Sequence, residues 1–201
     1  MSKIALTPNA SGSGTFTIAA PNGDTDRTLT LPDSSATLAT TNGITVAEQW
    51  VLTSSSSLSS ATVVDITSNL SLYGRSGTGT INNGMSESSG IFTFPSTGIW
   101  LVKAHANFSK NGDSRATELI IQVSIDSGSS YGQAAKGMSH ITRNNSNTTL
   151  SEANAEYLVD VTDTGTTKIK FSTDITHTGI TLRGSSTTAE TSFIFIRLGD
   201  T

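Results

Sequence analysis

Cysteine is absent from the 201 residues of the chain. Disulfide bonds, thiolate metal sites and cysteine nucleophiles are therefore excluded. A chain of this kind that works outside a cell needs another source of robustness, and oligomerisation is the obvious one.

Long apolar runs and basic clusters are also missing. No stretch approaches the roughly 18 apolar residues of a membrane helix, and the first residues lack the apolar run of a signal peptide, so we expect synthesis in a cytoplasm. The 12 Lys and Arg residues are scattered, and the formal net charge is -4. This pattern predicts neither nucleic acid nor a membrane as a partner.

Serine and threonine are abundant instead. The chain has 31 Ser and 33 Thr, whereas only 14% of its residues are charged and 6% are aromatic. Threonine is β-branched and serine competes for helix hydrogen bonds, so this composition favours strands and turns over helices.

Residues 1–44 differ from the remainder. They hold three of the four prolines and two short alternating pieces, 15–19 and 27–31, each typical of one strand that ends in a turn. Two such pieces cannot form a core, so the segment is expected either to be disordered or to lie against another protein. The pattern predicts a docking arm over 1–44 whose apolar side chains add strands to a partner's sheet edge, namely Phe16, Ile18, Leu29 and Leu31.

Residues 45–201 read as strands separated by Gly, Asn, Asp and Ser. The predicted strands cover 49–53, 62–66, 91–94, 99–108, 117–126, 155–162, 168–173 and 191–198. In the longest, apolar residues at even positions from 100 to 108 occupy one face while Lys103, His105 and Asn107 occupy the other, which is typical of a half-buried strand. The region predicts an all-β, antiparallel sandwich or jelly-roll head with core residues Phe92, Phe94, Trp100, Val102, Phe193 and Phe195.

The face opposite Trp100 carries Ile99 and Leu101, which need cover from a neighbouring copy and so indicate a homo-oligomer. Two Ser- or Asn-rich stretches, 53–60 and 144–149, are predicted surface loops. We expect any receptor contact to lie in long polar loops at 127–136 and 143–151, through Tyr131, Arg143, Asn144 and Asn147.

Residues 124–131, SIDSGSSY, fit the Ser-x-Asp-x-Gly-x-x-aromatic pattern of the Asp-box. The pattern predicts a hairpin in which Asp126 accepts backbone N–H bonds, Gly128 takes a positive φ and Tyr131 packs under the turn. Calcium binding by Asp126 is the less favoured reading.

Other signs of chemistry are weak. The three histidines show no metal-ligand spacing, although a threefold axis would bring three copies of one histidine together. Glu152, Glu156 and Asp160 share a strand face, as a glycosidase pair would, but a solvated face is the favoured reading. We therefore predict no enzyme activity, no cofactor and no metal.

Two segments resemble the complement-head and tumour-necrosis-factor superfamily of trimeric jelly rolls. They are GIFTFPSTGIWLV at 90–102, like that family's strand entry, and TSFIFIRL at 191–198, like its last strand. The resemblance covers roughly 46–201 and implies a homotrimer. The chain departs from the family's complement heads in lacking their cysteine and a collagen repeat in front.

The arm carries a second resemblance. The stretches LTPNASG at 6–12, GTFTIAAPN at 14–22, DRTLTLPD at 26–33 and ATL at 36–38 are similar to a segment of structural proteins of tailed bacteriophages. This resemblance implies a non-enzymatic virion surface protein, anchored to other virion proteins by its arm. It acts as a short fibre or capsid decoration, or alternatively as a tail-fibre protein that recognises a host surface glycan.

Overall fold

The structure is a computed structural model that describes residues 11–15, 17, 22–23, 26, 28, 43–59, 62–82 and 84–201. The chain divides into two units, Met1–Leu38 and Ala39–Thr201, and all the strands among the described residues belong to the second, called the head. The arm residues Phe16, Ile18, Leu29 and Leu31 lie outside the described residues, so their docking role stays a prediction.

The described part of the head is built from strands and turns. It contains no helix, and hence none long and apolar enough to cross a membrane. The strands are β1 (Ala47–Leu52), β2 (Ser54–Leu58), β3 (Val64–Asp65), β4 (Leu70–Leu72), β5 (Ser86–Ser88), β6 (Ile91–Thr93), β7 (Gly98–Lys110), β8 (Ser114–Ser124), β9 (Gly132–Ile141), β10 (Thr149–Val161), β11 (Lys168–Ile175), β12 (Ile180–Ser185) and β13 (Ser192–Gly199).

These strands form two antiparallel sheets. In sheet I, β7 pairs with β10 along one edge and with β13 and β12 along the other; β1 and β4 extend the sheet beyond β13, and β2 extends it beyond β12. In sheet II the order is β5, β6, β11, β8 and β9, with β3 beside β6 on the same edge of β11. The chain passes repeatedly from one sheet to the other, as between β7 and β8, β9 and β10, and β10 and β11, which is typical of a jelly roll.

The core between the sheets is aromatic. Phe92 of sheet II packs against Phe195 of sheet I with ring centroids 5.1 Å apart, and Phe171 stacks on Phe193 at 4.0 Å. Trp100 packs edge-on against Phe94 and donates its indole N–H to the Ser96 carbonyl oxygen at 3.2 Å. The six residues expected in the core are all buried: Phe92, Phe94, Trp100, Val102, Phe193 and Phe195.

The head has two distinct ends. At the base end the chain enters β1 and leaves β13, and the β8–β9 hairpin at 125–131 lies there too. At the tip end lie the turns 111–113, 142–148 and 176–179. The two ends are about 40 Å apart, because the thirteen residues of β7 and β10 run between them at roughly 3.3 Å per residue.

Three predicted loop boundaries are wrong. The serine stretch 53–60 contains strand β2, whose partner β12 supplies the ladder bonds that the serines' own weak strand preference does not signal. The loop expected over 127–136 ends earlier, because β9 begins at Gly132. The loop expected over 143–151 ends where β10 begins at Thr149.

Candidate functional site

The outward face of sheet I carries a row of apolar side chains that crosses the sheet at the base end. Leu158 lies opposite Leu101, Leu101 opposite Ile196, Ile196 opposite Ala47, and Ala47 opposite Ile81. Partners in register point to the same face of a sheet, so these five side chains are neighbours. The row is open at both ends, since Leu158 is 58% exposed and Ile81 is 48% exposed. We call these five residues the apolar row.

The same face becomes polar toward the tip. At the next outward-facing positions of β7 and β10 beyond Leu101 and Leu158, Lys103 forms an ion pair with Glu156 at 2.9 Å, and both side chains are about half exposed. At the following outward-facing positions of the same two strands, His105 Nδ1 lies 2.8 Å from the side-chain oxygen of Asn154. An apolar contact with another copy would therefore be centred on the base half of the face.

The acidic residues of β10 do not form a glycosidase pair. Glu152, Glu156 and Asp160 share the outward face, but neighbours in this set are four residues apart, roughly 13 Å along a strand. Paired glycosidase carboxylates lie about 5 to 9.5 Å apart. The Glu156 carboxylate also forms the ion pair with Lys103.

Metal-ligating groups are dispersed. Within the described residues, no three His, Asp or Glu side chains lie close enough together to hold a metal ion. His105 is bonded to Asn154, and His177 Nδ1 lies 3.1 Å from the Thr176 hydroxyl.

The Asp-box hairpin connects β8 and β9 as the motif predicts. Asp126 accepts the Ser130 backbone N–H at 2.9 Å, the Ser130 hydroxyl at 2.6 Å and the Ser124 hydroxyl at 2.7 Å. Gly128 has a φ of 88°. Hydrogen bonds from the Ser130 and Ser124 hydroxyls lower the pKa of Asp126 to about 2, so the carboxylate stays ionised and holds the turn closed.

Tyr131 is held beneath this hairpin. A Cβ atom at Gly128 would lie 3.2 Å from the Tyr131 hydroxyl, and Lys170 Nζ lies 4.3 Å from the ring centroid on the neighbouring strand. The hydroxyl oxygen is buried, and burial raises the pKa of the phenol. The ring therefore has a clear packing role in the hairpin.

The other expected contact residues lie together at the tip. Arg143, Asn144 and Asn147 are exposed in the turn before β10, where the Arg143 side chain donates to the Asn145 carbonyl oxygen at 2.8 Å. Asn111 of the β7–β8 turn donates to the Ser146 carbonyl oxygen at 2.8 Å and links two tip turns.

Tyr131 does not join that group. Tyr131 precedes β9 and Arg143 follows β9, so the ten residues of this strand separate the two side chains by about 30 Å. The predicted loops therefore supply two separate surfaces, and of these two the tip surface presents exposed polar side chains far from where the chain enters the head.

The sequence patterns did not indicate four members of the apolar row, namely Ala47, Ile81, Leu158 and Ile196. They also did not indicate Glu48, a 3%-exposed carboxylate on the core face of β1. Glu48 accepts the Trp50 indole N–H at 2.9 Å and the backbone N–H groups of Gly84 and Met85 at 3.0 Å each. The only local signal is a charged residue inside an apolar strand, Ala47–Leu52.

Comparisons with known proteins show a similarity of fold and nothing further. No family model matches the chain and no curated protein matches it. The crystal structure of murine APRIL at pH 5.0 is similar with a TM-score of 0.54 at 11% identity, over 76% of this chain and 98% of that one. The structure of Eiger TNF from S. frugiperda has a TM-score of 0.50 at 9% identity, over 80% of this chain and 96% of that one.

The head therefore has a tumour-necrosis-factor-like β-sandwich fold. The prediction of an all-β, antiparallel jelly roll is confirmed by the two sheets and by this likeness.

Proposed function

We propose that the chain is a non-enzymatic virion structural protein: a homotrimer on the virion surface, anchored by its N-terminal arm, that acts as a short fibre or capsid decoration. The observation that carries the assembly part is the apolar row, five adjacent side chains on one open sheet face. An apolar strip of this kind in a soluble protein marks a contact surface. Three copies, rather than two, follow from the family resemblance of residues 90–102 and 191–198.

Assembly is tested by placing a charge in the row. Leu158→Asp puts a carboxylate between apolar partners and should release monomers, because burying an unpaired charge outweighs the remaining contacts. The matched control is Ile125→Asp, since Ile125 is 78% exposed on the hairpin and lies outside the row.

Sedimentation equilibrium reads out the result. The natural chain and the Ile125→Asp variant should sediment at about 63 kDa, three times the 20.9 kDa chain mass, and Leu158→Asp at the chain mass. A natural chain that is monomeric at micromolar concentration would refute assembly through this face.

The virion role is supported by the resemblance of the arm to phage structural proteins and by the arrangement of the two ends of the head. The chain enters β1 at the base end, beside the apolar row, whereas the free polar turns lie about 40 Å away at the tip. A head tethered through its first residues would present the tip outward.

The anchor is tested by deleting residues 1–44. The truncated head should melt and sediment as the full chain does, because its core and the apolar row lie wholly within the head. It should fail to join particles of the phage that carries the gene, as measured by mass spectrometry of purified particles. Incorporation at the normal level would overturn the anchor assignment.

The alternative is a tail-fibre protein that recognises a host surface glycan, and the exposed tip residues favour it. Replacing Arg143 and Asn147 by Ala should then reduce adsorption at normal particle yield. Unchanged adsorption, with capsids that leak when the gene is removed, would support decoration. Release of reducing sugar from host polysaccharide, abolished by Glu156→Gln, would refute the non-enzymatic reading.

A further inference from the structure

An open cleft of about 520 Å³ lies at the β4 edge of sheet I. Tyr73 and Arg75 form one wall, from the segment that follows β4, and Thr187 in the β12–β13 turn forms the other. Val51 lies at its floor and is 1% exposed. The cleft thus joins segments more than 100 residues apart in sequence.

The two walls are tied to each other. Arg75 Nη1 donates to the Thr187 carbonyl oxygen at 2.6 Å, and the Tyr73 hydroxyl donates to the same oxygen at 3.3 Å. The Ser185 hydroxyl oxygen accepts the backbone N–H groups of Thr187 and Thr188, each at 3.2 Å. The turn that presents this carbonyl is therefore braced, and the cleft is formed before any ligand arrives.

Arg75 has hydrogen-bonding capacity to spare. None of the ion pairs among the described residues includes it, and the Thr187 carbonyl uses one of the five N–H donors of a guanidinium. A planar guanidinium with free donors suits a carboxylate, which it binds through two parallel bonds. Beside it, the half-buried Tyr73 ring offers an apolar surface.

We propose that this cleft binds a carboxylate-bearing sugar of a surface polysaccharide, with Arg75 on the carboxylate and the Tyr73 ring against the sugar. Serine and threonine hydroxyls complete the lining, at Thr53, Ser71 and Ser186. Among the described residues that line the cleft, Arg75 is the single charged one, which disfavours a polyphosphate or nucleic acid ligand.

The cleft is separate from the apolar row. Val51 at its floor lies four residues beyond Ala47 along β1, roughly 13 Å away. Saccharide binding rests on the glycan-recognition form of the proposed function, but it does not depend on assembly through the row.

The test uses the full-length protein and a panel of galacturonate-, glucuronate- and sialate-bearing oligosaccharides with their neutral counterparts. Saturation-transfer NMR and calorimetry measure affinity. At least one acidic member should bind, and Arg75→Gln should weaken it about tenfold or more, the value of one charge-assisted pair. Tyr73→Ala should weaken it similarly, whereas Tyr73→Phe should stay within about threefold because the ring remains.

The matched control is Arg115→Gln. Arg115 is also an exposed arginine, but it lies on β8 of sheet II and outside this cleft. Unchanged affinity in Arg115→Gln together with the loss in Arg75→Gln supports the proposal. Equal affinity for neutral and acidic sugars, loss through Arg115→Gln alone, or no acidic binding at about 10 mM overturns it.

Failure of the cleft is distinguishable from failure of the proposed function. Arg75→Gln should sediment and join particles like the natural chain, since Arg75 lies outside the apolar row. A variant that assembles and incorporates normally, in a protein that binds no acidic sugar, refutes the cleft and leaves the virion role standing.

Discussion

Glu48 should be one of the residues on which the stability of the head depends most, although it is charged and lies on the core face. Its carboxylate accepts three N–H bonds, two of them from the backbone of Gly84 and Met85, and so holds the segment before β5 against β1. Glu48→Gln keeps the size of the side chain and replaces one oxygen by an NH₂ group. At least one of the three donors then faces another donor.

The cost follows from this geometry. A buried N–H left without an acceptor costs about 1–3 kcal/mol, so Glu48→Gln should lower the free energy of unfolding by about 2 kcal/mol. Glu48→Ala removes both oxygens and should cost about 3–5 kcal/mol. For a domain of this size, 1 kcal/mol shifts Tm by about 2–4 °C, so we expect Glu48→Gln to melt about 4–8 °C lower.

Scanning calorimetry of the full chain measures the shift at one fixed protein concentration, because the stability of an oligomer depends on concentration. The control is Glu152→Gln, the same chemical change at an exposed position of β10, which should alter Tm by about 1 °C or less. Equal melting temperatures for the two variants would refute the assigned role of the Glu48 carboxylate.

Two further predictions concern β9 and its hairpin. The pKa of Asp126, about 2 in the fold against an ordinary 3.8, means that its bonds contribute fully above about pH 4 and are lost as pH falls through about 2. The Ser130 amide resonance should titrate there by NMR and should not in Asp126→Asn; a midpoint at 3.8 would contradict the assignment. Gly137→Ala should cost at least about 2 kcal/mol in urea denaturation, because its Cβ would lie 2.0 Å from the Asn154 carbonyl oxygen where β9 crosses β10. The control is Gly132→Ala, because a Cβ atom at Gly132 would have no other atom within 4 Å. Similar losses of unfolding free energy in both variants would mean that strand propensity, and not the crossing, sets the cost.

The local patterns of the sequence were sufficient for the fold class and for one detailed motif. The alternation from Trp100 to Phe108 predicts a strand with one apolar face, and those even-numbered residues are buried along β7. The Asp126 hairpin was predictable in its bonds, because all its partners lie between Ser124 and Tyr131. In both cases the groups that interact are close in sequence.

Strands with weak preferences of their own were not predictable in this way. β2 is almost all serine, and its place at the edge of sheet I comes from pairing with β12, including a bond from the Gly184 N–H to the Ser55 hydroxyl oxygen. β9 contains Gly137, which the crossing with β10 requires. A single stretch of sequence does not contain the partner that makes it a strand.

The surfaces that carry function belong to the tertiary structure for the same reason. Ile99 and Leu101 alone indicated an apolar face, but the row from Ile81 through Ala47 to Leu158 exists only because the register of four strands, together with the bridge at Ile81, places these residues side by side. The cleft likewise depends on Thr187, which meets Arg75 across 112 positions of sequence. Periodicity reports which way a side chain points, whereas pairing across the sheet decides which side chains become its neighbours.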